Sequence, residues 1–213
     1  EGSKDVWVIS DGPVDHVTLL DKPGQSVALR RSGAELPSRV ADNIFWLGRQ
    51  LERAEAYARL LRSTASRLTG ETRSSSIVEI PVLLRCLADQ GQIEPGYAVD
   101  EMRGQMAPIE RVLPRVVFDA SQTACLRSVV DELFRLGSVL RDRITIDMWR
   151  IVHRIDEVFR PTRRGLTNLS DLLEKTDGLI TELAAFIGII TESMTRTQAY
   201  HFLELGRRIE RSL

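Results

Sequence analysis

The chain has 213 residues, 43% hydrophobic and 28% charged, a balance that fits a folded globular protein and excludes a disordered polar tract. Its formal net charge is −1, so no global field pulls it toward nucleic acid or an anionic membrane. The longest apolar run, 179–190, is interrupted by Glu182 and falls short of the roughly 20 apolar residues that a bilayer span needs.

The basic residues are almost all arginine, with lysine only at Lys4, Lys22 and Lys175. A planar guanidinium suits carboxylate and phosphate partners, although genomic codon bias is the plainer reading of the imbalance. Cys86 and Cys125 stand in no motif and read as small buried hydrophobes of a reducing compartment. No signal-peptide pattern opens the chain. The expectation is a soluble, cytoplasmic protein.

In chain order, residues 1–34 differ from the rest. Val6, Val8 and 17–20 are β-prone, and Asp11-Gly12-Pro13 and Lys22-Pro23-Gly24 are turn signals. They predict two or three short strands, at 5–10, 15–20 and, as the third, 26–30. So few strands make no core of their own and read as the tail of a larger sheet. From Pro37 the pattern turns helical. Val40, Ile44, Leu47, Leu51, Ala54, Ala58, Leu61, Ala65 and Leu68 recur at alternating spacings of four and three, predicting a long packed helix over 38–68 that ends at Thr69-Gly70. After a Ser-rich loop, a helix is expected over 78–89 with Pro81 near its first turn. Residues 91–108 carry no regular pattern, and a short helix is expected at 108–118 despite Pro114. Helices follow over 121–143, over 146–159 with Thr145 as N-cap, and from Thr167 or Asn168 to about Met194. Thr195-x-x-Gln198 has the form of a capping box opening a last helix. The sum is a mainly α, antiparallel multi-helix bundle with a short N-terminal β remnant.

One heptapeptide occurs twice. Leu47-Gly48-Arg49-Gln50-Leu51-Glu52-Arg53 and Leu205-Gly206-Arg207-Arg208-Ile209-Glu210-Arg211 are identical at five of seven positions. Both copies carry the same apolar register, Ile44, Leu47 and Leu51 against Phe202, Leu205 and Ile209, so the two helices read as equivalent elements of a duplicated bundle. A mid-helix glycine costs up to about 1 kcal/mol in propensity, and its repetition points to close approach of another backbone. Arg49 and Glu52, three apart on one face, are placed to pair, which predicts two Arg–Glu clusters facing one another across the bundle.

The twenty residues from Leu36 to Glu55, together with Phe202-Leu-Glu-Leu-Gly-Arg-Arg-Ile-Glu-Arg211, resemble the Alpha-E family, named for its Glu-Arg motif. The resemblance covers residues from about 36 to 213 and implies that the family domain continues beyond the second motif. Gly2 to Ser10 resembles the C-terminal end of circularly permuted ATP-grasp domains, which implies a nucleotide site upstream of Glu1, with ATP and Mg bound there and not in this chain, and a parent protein that forms amide or peptide bonds. The implied division is 1–34 as the end of an ATP-grasp-like domain and 35–213 as the helical domain, whose partner is the ATP-grasp domain of the same parent chain.

Three functional classes follow. The first is a non-catalytic accessory or scaffold domain of such a bacterial ligase, presenting substrate or docking protein, in which Arg49, Glu52, Arg53, Arg207, Glu210 and Arg211 form a structural network. The second is an enzyme or anion-binding domain using the same six residues, the carboxylates as bases and the arginines as anion clamps. The third, an Arg-rich nucleic-acid binder, is opposed by the net charge. No catalytic residue is assigned. His16, His153 and His201 show no metal-ligand spacing, and no Gly-rich phosphate loop occurs. Lys4 reads as an exposed lysine, Asp42 and Asn43 as first-turn residues that favour the helix dipole, and Trp7, Trp46 and Trp149 as core or interface anchors. Self-association through an exposed half-interface is a further expectation.

Overall fold

The computed structural model describes residues 9, 11–13, 36–70, 78–119, 124–160 and 168–213. The chain divides into two compact units, Glu1–Glu35 and Leu36–Leu213. The expected strands, with Lys4, Trp7 and His16, fall outside the described residues, apart from Ile9 at the end of the first.

The second unit is mainly α. Its axis is α1 (Ser38–Leu68), 31 residues and so about 47 Å long. The sequence stripe explains its place. Ile44, Leu47, Leu51, Ala54, Ala58, Leu61, Ala65 and Leu68 are all buried, and Val40 packs at the edge of the same core. Pro37 cannot extend the helix, but its carbonyl accepts from the Val40 and Ala41 amides at 2.8 and 2.9 Å. At the far end the Thr69 amide closes the last turn on Ala65.

Next come α2 (Glu79–Asp89), a 3-10 turn (Pro95–Ala98), α3 (Asp100–Arg103) and α4 (Ile109–Val116). The stretch without a sequence pattern is held by polar ties, which leave no periodic signature. The buried Tyr97 donates its hydroxyl to the Ala107 carbonyl at 2.8 Å, and Arg103 Nε donates to the Tyr97 carbonyl at 2.8 Å.

α5 (Leu126–Val139), α6 (Ile146–Val158), α7 (Leu169–Ser193) and α8 (Gln198–Arg211) complete the unit. Three side chains cap three of these helices. Cys125 Sγ accepts from the Ser128 amide, Thr145 Oγ1 from the Met148 amide, and Asn168 Oδ1 from the Asp171 amide. The Cys125 cap starts α5 at Leu126, and the turn at 140–144 ends it, so this helix is shorter than its 121–143 periodicity predicts. The capping box expected at Thr195 does not form. Thr195 instead turns the chain, its carbonyl accepting from the Thr197 amide at 2.7 Å, and α8 starts three residues later without a side-chain cap. Cys125 is buried as expected, but Cys86 is exposed, because it lies on α2 opposite the buried Ile80, Leu84 and Leu87.

Neighbouring helices run antiparallel through α5, α6 and α7. Arg127 near the start of α5 reaches Phe159 past the end of α6, and Arg154 of α6 meets Glu182 late in α7 while Lys175, earlier in α7, reaches Val158. The bundle is not antiparallel throughout. Gly48 lies against Leu203 and Arg207, while Glu52, a turn later, lies against Arg207 and Arg211, so α1 and α8 advance in the same sense.

Candidate functional site: the Glu-Arg crossing

α1 packs more extensively on α8 than on any other element, and the two heptapeptides form that crossing. The glycines set its depth. A Cβ on Gly48 would stand 2.2 Å from the Leu203 carbonyl oxygen, and one on Gly206 would stand 2.1 Å from the Phe45 carbonyl oxygen. Each glycine is therefore pressed on the opposite backbone, and only glycine fits at either position.

This close approach brings each arginine pair within reach of the facing carboxylate. Arg49 Nε donates to Glu210 Oε2 at 2.6 Å, and Arg53 donates from Nε to Oε1 at 2.5 Å and from Nη2 to Oε2 at 3.0 Å. In the mirror arrangement Arg211 Nε donates to Glu52 Oε1 at 2.6 Å, and Arg207 Nε lies 3.3 Å from Glu52 Oε2. Every residue of the second copy follows its counterpart by 158 positions, as Gly206 follows Gly48. The crossing thus has a local pseudo-two-fold axis running along the two helices. The pairing of Arg49 with Glu52 that their spacing invites is not made. Two clusters do face each other, but each is built from one helix's arginines and the other's glutamate.

The two halves differ in one detail. Arg49 lies over the Trp46 ring, 5.1 Å from its centroid. The counterpart of Trp46 is Glu204, and it accepts from Arg207 Nη1 at 2.7 Å. Arg207 is drawn toward its own helix, and Arg207 Nε and Glu52 Oε2 are both buried without a hydrogen bond. The Glu210 half is the better satisfied.

Electrostatics follow from this geometry. Burial alone would raise the Glu210 carboxyl, but the hydrogen bonds and charges of Arg53 and Arg49 together outweigh it and hold the group below its ordinary value. Tyr57, one turn beyond Arg53, is pushed up by burial, with Glu210 adding to the effect and Arg53 opposing it. Hydrogen bonding to Glu52 raises Arg211. Each carboxylate is engaged by two guanidinium groups of the opposite helix.

A second Arg–carboxylate cluster carries no signal at the level of the repeat. Asp156, at the end of α6, is buried and takes Arg127 at 2.5 Å and Arg160 at 2.6 Å. Burial would raise its carboxyl, and the two arginines outweigh that and lower it. Arg127 also donates to the Phe159 carbonyl at 2.8 Å and binds Asp131, tying α5 to the C-terminal end of α6. The i,i+4 spacings of Arg127 with Asp131 and Asp156 with Arg160 are visible in sequence, but the bond that joins them is tertiary.

The other singled-out residues make no ion pair with the six charged residues of the crossing, although Trp46 lies under Arg49. Asp42 and His201 line an open groove of about 790 Å³ between the first halves of α1 and α8. Trp46 is 38% exposed, and Trp149 sits half-buried between Phe134, His153 and Arg141. Among the described residues no three His, Cys, Asp or Glu side chains are grouped to hold a metal. No helix among them is long and apolar enough to cross a membrane.

Residues 36–213 match the Alpha-E family, described as a predicted alpha-helical domain with a conserved ER motif. The chain belongs to the Alpha-E family. The crossing gives that motif a geometry, in which the Glu-Arg of one helix meets the arginines and glutamate of the other. The chain is also similar to two curated proteins, "Uncharacterized protein Rv2567" of Mycobacterium tuberculosis (strain ATCC 25618 / H37Rv) and "Uncharacterized protein Mb2597" of Mycobacterium bovis (strain ATCC BAA-935 / AF2122/97). Each is 26% identical over 231 residues, covering 99% of this chain and 25% of the relative. The chain therefore spans about a quarter of the length of the curated relatives it matches. No solved structure matches it.

Proposed function

We propose that this Alpha-E chain is a non-catalytic helical accessory module of an ATP-grasp-type amide or peptide ligase, serving substrate presentation or protein docking, and that its Glu-Arg motif locks the helix crossing. One observation carries the structural half of this reading. Glu52 and Glu210 are each taken up by two arginines of the opposite helix, so neither carboxylate stands free as a base and each arginine pair already has an anionic partner in the facing helix. A general base needs a carboxyl poised near the working pH, whereas Glu210 is held lower than usual. The ligase half is supported by the likeness of residues 2–10 to the end of permuted ATP-grasp domains. ATP and Mg would belong to that domain, and no step of the reaction is assigned to residues described here.

The test compares Glu210→Gln with the parent in the complete natural polypeptide, following both unfolding and the amine- and carboxylate-dependent conversion of ATP to ADP. The expected loss is about 1.5–3 kcal/mol of stability, the size of hydrogen bonds to a charged group, with turnover unchanged well below the unfolding temperature. Full stability with turnover abolished would overturn the structural role. A complete polypeptide that consumes no ATP with any amine and carboxylic acid pair would overturn the ligase role.

A further inference from the structure

α1 and α8 are two copies of one helix, but their apolar stripes have different fates. Ile44, Leu47 and Leu51 are buried in the core, where α1 packs on α5 and α7. The counterparts Phe202, Leu205 and Ile209 are 38, 48 and 37% exposed. The crossing buries the Leu203–Gly206 side of α8 and leaves the stripe with the repeat's own spacing partly exposed, with Phe202 and Leu205 on an open groove shared with the start of α1. The difference extends to the flank, where Gln50 of α1 is buried and its counterpart Arg208 is exposed. The open groove of about 790 Å³ beside Phe45 adjoins Phe202 and Leu205, extending the bare apolar surface onto α1.

We propose that this face of α8 is the docking site for a second pair of amphipathic helices, carried by the same polypeptide, which completes around α8 the layer that α5 and α7 form on α1. Three observations select this occupant. The pseudo-two-fold relation means that whatever fits Phe202, Leu205 and Ile209 resembles what already fits Ile44, Leu47 and Leu51, namely helices with an apolar stripe at spacings of three and four. The relatives hold about three quarters of their length outside the match, which leaves ample chain to supply them. A second copy of this chain is the poorer fit. Its α5 and α7 are already spent on its own α1, leaving only α8 to offer. α8 has 14 residues, and a lone helix about 21 Å long falls short of the roughly 800 Å² per partner of a stable interface. This inference is independent of the ligase reading.

The test uses Leu205→Cys in a Cys86→Ser background, with Cys125 left buried. Modification by a maleimide is timed in the complete natural polypeptide and in the 213-residue chain. The expected result is labelling at least about tenfold slower in the complete polypeptide, at every protein concentration. Equal rates in the two would overturn the proposal. Protection that appears only as concentration rises would also overturn it, in favour of a second copy. Leu205→Glu gives an independent reading, with a lowered Tm expected in the complete polypeptide and none in the 213-residue chain. A variant equally harmless in both would again count against the covering layer.

Discussion

α1 and α8 share a heptapeptide, a glycine contact and a charge pattern, and they differ in what lies on their outer side. α1 is held on both sides, by α8 across the glycines and by α5 and α7 over its stripe. α8 is held on one. The charge network and the backbone approach are consequences of the repeat and appear in both copies. Burial of the stripe depends on other elements and appears in one. A repeated motif therefore specifies how its two copies meet each other, and leaves open what else each of them meets.

The contrast sets the largest expected effect. Leu47→Ala removes a fully buried side chain and should cost about 2–5 kcal/mol, whereas Leu205→Ala at the matching position should stay within about 0.5 kcal/mol in the 213-residue chain. Denaturant unfolding of the pair measures both, and equal costs would mean that α8 is as enclosed as α1.

The glycines sharpen the part that is shared. Gly48→Ala and Gly206→Ala each press a methyl on the opposite carbonyl, so each should lose about 1–3 kcal/mol despite the better helix propensity of alanine. Once either has separated the helices the other has less to disturb, so the double variant should cost less than the sum. A strictly additive double variant would show that the two contacts are not one crossing.

The smallest effect is on pH. Glu210 and Asp156 are both held below their ordinary values. The stability they contribute is present above the unfolded-state values, about 4.3 for Glu and 3.9 for Asp, and is lost as pH falls through the lower folded values. The Tm should hold between pH 7 and 5 and decline in the acid range below about 4, with a shallower decline in Glu210→Gln. Identical acid profiles would remove Glu210 from the account of stability.

Much of the fold was legible because α1, α6 and α7 announce themselves by period and cap, and their bounds follow Pro37, Thr145 and Asn168. The 91–108 stretch was not, because Tyr97 and Arg103 hold it through single polar ties. The capping box at Thr195 misled, since the same Thr-x-x-Gln pattern is compatible with a tight turn. The site was half legible. Repetition marked all six residues and the glycines implied close approach, but helix spacing alone pairs Arg49 with Glu52.

The sequence by itself determined the helices, the duplication and the residue types of the crossing, because period, capping and repetition are properties of neighbours along the chain. Only the tertiary structure decided that α1 and α8 run the same way, that each glutamate is held by the other helix's arginines, and that one of two equal stripes is buried. Those outcomes depend on which surfaces come within bonding distance, and that distance is set at Gly48 and Gly206 by two backbones in contact.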